Sequence, residues 1–159
     1  MSSIRVVAIS TALAESVRKK GKDPQFGFPV YTAPAGGGLP CRHCLDWIVE
    51  GSERAALFTL DPFAGFEKLP LPGPVYIHAD GCDRYPEDGG IPARLMTSPR
   101  TLNAYGHGRR LVAQEYVESG NAEATIERLF QRSDVAYVHV RSTMAGCYTF
   151  RLERVNDSK

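Results

Sequence analysis

Val135-Ala136-Tyr137-Val138-His139-Val140-Arg141-Ser142-Thr143-Met144-Ala145-Gly146-Cys147-Tyr148-Thr149-Phe150-Arg151-Leu152 reads as two alternating runs around a short polar turn. In the first run Ala136, Val138 and Val140 oppose Tyr137, His139 and Arg141. In the second, Tyr148, Phe150 and Leu152 oppose Cys147, Thr149 and Arg151. Side chains alternate across a strand with period two, so each run has an apolar face and a face of Tyr, His, Arg and Thr. A connection over 142–146 predicts an antiparallel hairpin, with His139 and Cys147 close across the ladder.

The same signals recur along the chain. Ile4 to Ile9, Ala55 to Leu60, Val75 to Ala79, Leu102 to Tyr105 and Leu111 to Val117 are short β-rich runs. Gly106-His107-Gly108 reads as a hairpin turn between the last two. Asn121 is a good N-cap residue for a helix carrying Ala122, Ile126, Leu129 and Phe130 on one face. A second helix is predicted over Thr11 to Lys20, stopped by Gly21. Residues 33–40, 61–74 and 80–92 read as loops, the first two because proline at that density forbids helix and central strand. Strands dominate and the connections look like hairpins. The expectation is therefore an α+β fold: an antiparallel β-sheet, with latitude for strong curvature, packed on one or two helices.

The chain has 159 residues, which fits a single domain spanning 1–159. A formal net charge of +1 leaves no electrostatic footprint for nucleic acid or an acidic membrane. No stretch approaches the roughly 18 apolar residues of a membrane span. The opening run Ile4 to Ile9 is too short for a signal sequence, so the expected location is cytoplasmic, with four reduced thiols. Oligomeric state is not readable.

Chemistry concentrates in three places: Cys41-Arg42-His43-Cys44, the strand end His78 with Cys82 after it, and His139 with Cys147 after it. A redox dithiol at Cys41 and Cys44 would need a strand running into it and a helix after it. Gly-Gly-Gly-Leu-Pro precedes it and only Leu45 to Glu50 follow before Gly51, which favours a packing role. A closed tetrahedral Cys₃His zinc site from Cys41, Cys44, His78 and Cys82 has the right first spacing, but His-x-x-x-Cys is not diagnostic as a second pair. A Cys–His catalytic pair would use His78 or His139 to raise the thiolate fraction of Cys41, Cys82 or Cys147. Arg42, Arg94 and Arg141 can then grip a carboxylate or phosphate. For each strand histidine alone, the plain reading is a satisfied, partly buried side chain. His43 and His107 are weaker candidates. The Gly36-Gly37-Gly38 run lacks the Lys and Ser/Thr of a phosphate loop, and neither a serine nucleophile elbow nor a dinucleotide fingerprint is present.

Leu39-Pro40-Cys41-Arg42, Gly73-Pro74-Val75-Tyr76-Ile77-His78, Cys82-Asp83-Arg84-Tyr85, Asn103-Ala104-Tyr105, the strand around His139 and Gly146-Cys147-Tyr148 together form an ordered set. It resembles the bacterial domain of unknown function 1203 family, over about residues 20 to 155. That resemblance singles out Cys41, Arg42, His78, Cys82, His139 and Cys147. Cys44 and His107 look like departures from the family pattern, which weighs against a zinc site that needs Cys44. The family label implies no activity, substrate or cofactor.

The resulting expectation is a polar cleft over one sheet face, with Cys41, His78, Cys82, His139 and Cys147 as reactive groups. Arg42, Tyr76, Arg94, Tyr137 and Arg141 would hold a small anionic ligand. Whether the protein is an enzyme stays open. No metal is assigned; the alternative is a zinc-stabilised or non-catalytic interaction domain.

Overall fold

A computed structural model describes residues 4–155. The backbone falls into two compact units, one of Ala8–Tyr85 and the other of the first strand with the chain from Pro86 onward. Both are built from antiparallel strands, and two α-helices complete the α+β class.

The 8–85 unit begins with helix α1, Thr11–Lys20. Its limits are set locally. The Ser10 hydroxyl accepts from Leu13 N, and Gly21 takes φ 63° while its N–H bonds Val17 O. Arg18, Lys19 and Lys20 place positive charge at the negative end of the helix dipole. Strands β2 (Tyr31–Pro34), β5 (Arg54–Leu60) and β6 (Gly73–His78) form a sheet in the order β2-β5-β6. Ala56, Phe58, Val75 and Ile77 are buried and pair across the β5–β6 ladder, as Ala56 with Ile77 and Phe58 with Val75. Between β2 and β5 lies a hairpin of two-residue strands, β3 (Leu39–Pro40) and β4 (Trp47–Ile48). The expected 33–40 loop is thus corrected: strands flank a short turn, and Pro34 is tolerated because β2 is an edge.

In the other unit five strands run in the order β1-β10-β9-β7-β8, with β1 Ile4–Val7, β7 Arg100–Tyr105, β8 Leu111–Val117, β9 Tyr137–Ser142 and β10 Tyr148–Arg154. Leu102 pairs with Val140 and Val140 with Phe150; all three are buried. Helix α2, Ala122–Phe130, buries Ala122, Ile126, Leu129 and Phe130. Asn121 holds the cap position, but its side chain makes no capping bond. The 142–146 hairpin is present, with a different register from the one expected. His139 faces Arg151, and Cys147 O accepts from Ser142 N. A bulge between Tyr148 and Phe150 inserts Thr149 and turns the Tyr148 ring to the His139 side.

The single sheet of the sequence reading is therefore replaced by sheets of five, three and two strands. Among the described residues no helix is long and apolar enough to cross a membrane.

Candidate metal centre

The β3–β4 hairpin presents Cys-x-x-Cys at its tip. Cys41 N donates to Asp46 O and Leu45 N to Cys41 O, both at 2.9 Å. Leu45 sits at φ 55°, a left-handed conformation that costs a branched residue about 1–2 kcal/mol. That reversal curls the chain tightly around Cys41 and Cys44. A bond from Arg42 N to Tyr76 O (3.0 Å) ties the tip to β6. At the end of β6 stands His78, and Gly81, at φ 111°, turns the chain toward Cys82.

One donor atom from each of Cys41, Cys44, His78 and Cys82 falls within 4.8 Å of all the others. The Cys41 and Cys82 sulfurs are 3.7 Å apart. Cys44 Sγ is 3.3 Å from His78 Nδ1. All four cysteines are free thiols.

A second layer surrounds these atoms. The His78 backbone N–H donates to Cys41 Sγ (3.3 Å), and His78 Nε2 lies 3.1 Å from Glu53 Oε2. Arg18 donates through Nη2 to Cys82 Sγ at 3.3 Å and through Nε to His78 O at 2.9 Å. His43 is almost wholly buried, with Nδ1 3.1 Å from Cys82 Sγ and Nε2 3.0 Å from Thr11 Oγ1. With Cys82 as thiolate, His43 donates from Nδ1 and accepts the threonine hydroxyl at Nε2.

The electrostatics follow from this crowding. Hydrogen bonds from Cys44, then Cys82, hold the Cys41 thiol well below its ordinary range. Cys44 is pushed the other way, first by its bond to Cys41. His78 is raised to about 10, chiefly by hydrogen bonds to Cys41 and Cys82, with Glu53 adding a smaller push. Burial, then the Arg18 charge, lowers His43. A divalent cation binding there would compete with protons for these donors.

Cys41, His78 and Cys82 lie together, and Cys44, set outside the family pattern, joins them. His139 and Cys147 belong to the other unit. The expected common histidine face is corrected, since β6 and β9 lie in different sheets. His139 is fully buried, with the rings of Tyr105, Tyr137 and Tyr148 4.8 to 5.3 Å away. Burial, followed by the charges of Arg141, Arg151 and Arg109, lowers its pKa to about 2. The wet face expected around Tyr137 and His139 is therefore an aromatic interior. Of the expected anion-gripping residues, Arg42 is buried and donates to Pro40 O, and Tyr76 is half-buried on β6. Arg94 is exposed beside a 3₁₀ turn, and Arg141 donates to Gly146 O. Arg18, Glu53 and Thr11 carried no signal in the sequence.

The family model described as a protein of unknown function, DUF1203, matches residues 38–154. The chain belongs to that family. All four clustered donors fall inside the matched span of the DUF1203 chain, while Arg18 precedes it. Comparison with curated proteins and with solved structures found no significant match.

Proposed function

We propose that the 8–85 unit binds one zinc ion through Cys41, Cys44, Cys82 and Nδ1 of His78, in a structural centre. One observation carries this reading. A tetrahedral site with Zn–S of about 2.3 Å and Zn–N of about 2.0–2.1 Å has S···S edges of about 3.8 Å and S···N edges of about 3.6 Å. The Cys41–Cys82 and Cys44–His78 separations, 3.7 and 3.3 Å, are close to those edges. Soft thiolates with one imidazole select zinc over hard cations. Four protein ligands leave no open position for substrate, which argues for a structural role. Glu53 fixes the tautomer by accepting the Nε2 proton of His78, the usual outer partner of a metal-bound imidazole. Three thiolates and a neutral imidazole give the loaded centre one net negative charge, and Arg18 supplies the opposite charge at Cys82.

Metal analysis of protein purified under reducing conditions tests this, with about one zinc per chain expected. Cobalt substitution should give the visible bands of a tetrahedral thiolate site. A chain devoid of metal, and unable to take up either ion, refutes the reading. The Cys82–His43 contact favours a second reading, a metal-free thiol nucleophile at Cys82. It predicts no bound metal and alkylation of Cys82 ahead of the other three thiols, mapped by mass spectrometry.

A further inference from the structure

The three sulfurs of the cluster are not equivalent. Cys41 is fully buried and fixed in the hairpin tip by its bond to Asp46 O. Cys44 meets the His78 imidazole. Cys82 is half-buried and stands in a stretch, 79–85, with neither helix nor strand. It alone has both a guanidinium and a second imidazole as outer neighbours, Arg18 at 3.3 Å and His43 at 3.1 Å. Both donors are within reach of an oxygen bound to that sulfur.

We propose that Cys82 and Cys41 form a peroxide-modification site, in which Cys82 reacts first, Cys41 resolves it, and the disulfide so formed releases the zinc. This rests on the metal reading above. The oxidant is a hydroperoxide. Cys82 Sγ attacks the terminal peroxide oxygen, the O–O bond breaks, and the leaving alkoxide or hydroxide takes a proton from solvent. Cys82 is then a sulfenic acid. Cys41 Sγ attacks the Cys82 sulfur, the S–O bond breaks, and hydroxide leaves as water after taking a second proton. Two thiolates lose two electrons, and the peroxide gains them. The sulfurs must close from 3.7 Å to about 2.05 Å. The irregular segment around Cys82 can supply that movement, whereas the hairpin holds Cys41 in place. Cys44 and His78 then remain as two ligands, too few for a structural zinc site.

The experiment uses the full chain as purified, with its zinc content measured first. Hydrogen peroxide is added in small excess, released zinc is read with a chromophoric chelator, and thiols are blocked and mapped by mass spectrometry. The expected result is one zinc released for every two thiols lost, with a peptide linking Cys41 to Cys82 and with Cys147 still free. Arg18→Met, which keeps the apolar stem, should slow peroxide-driven release about tenfold, counted per zinc bound at the start, as expected for loss of one charge-assisted hydrogen bond. Zinc that stays bound while Cys147 is consumed overturns the proposal, as does a Cys41–Cys44 linkage. Zinc-free protein at the outset overturns the metal reading and this one with it.

Discussion

Replacing Glu53 by Gln tests the outer layer of the centre without touching a ligand. Glu53 performs two tasks with two oxygens. Oε1 accepts from Val49 N at 2.9 Å, and Oε2 lies 3.1 Å from His78 Nε2. A glutamine has one oxygen and one NH₂ group, so it can serve only one of these donors. The other N–H then faces an amide donor. The negative charge that polarises His78 is lost in either case. Outer partners of metal-bound histidines typically change affinity 10- to 100-fold. Because the Glu53 side chain is 40% exposed, solvent screens part of that effect. The expected loss sits at the low end, about tenfold in zinc affinity or about 1.4 kcal/mol. Competition for zinc between the protein and a chromophoric chelator, at one pH and ionic strength, measures it directly. A Glu53→Gln protein that still binds one zinc with wild-type affinity would show that Glu53 does not tune the imidazole.

Three further outcomes follow from the same geometry. Stripping zinc with a chelator should raise amide exchange in residues 39–48 and 73–82, where the ligands are carried, while Tyr137–Ser142 and Tyr148–Arg154 keep their protection; uniform loss across both groups would contradict a local centre. Cys44→Ser should lose most bound zinc and Cys147→Ser none, as read by metal content per chain. Burial holds the His139 pKa at about 2 in the fold, whereas an unfolded histidine titrates near ~6.5, so below about pH 6.5 the unfolded state binds the extra proton and stability falls as pH drops. His139→Phe should remove about 2 kcal/mol of the stability lost between pH 6.5 and 4.5, seen as a shallower slope of urea midpoints; parallel slopes for the two proteins would refute it.

What was legible in the sequence was what the chain decides locally. Helix α1 ends at the glycine that was read as its stop, a signal that lies next to the helix in the chain; the Ser10 cap at its other end went unread. The β9–β10 hairpin was legible because alternation and turn are contiguous. The face of Tyr148 was not, because a one-residue bulge reverses alternation without leaving a mark in composition. Sheet membership was illegible for a related reason. Alternation reports which residues share a strand face, and β6 and β9 show the same pattern, yet β6 pairs with β5 and β9 with β7 and β10. The two-residue strands β3 and β4 are too short for any period.

The candidate centre shows where that boundary falls for chemistry. Cys41 and His78 are 37 residues apart, and their approach depends on a hairpin tip held against the end of β6. Spacing nominated Cys41, Cys44, His78 and Cys82, but spacing alone could not decide between a closed site and separate thiols. Resemblance pulled the other way by setting Cys44 apart. Within the hairpin tip Leu45 takes a left-handed conformation where glycine would be unstrained, and its N–H closes the turn on Cys41 O. Its side chain is buried, and the Cys44 sulfur just before it meets His78. His43 was underrated: the sequence reading ranked it only as a weaker candidate. Its ring instead lies between Thr11 and Cys82, a relation that only the folded path of α1 past the hairpin creates.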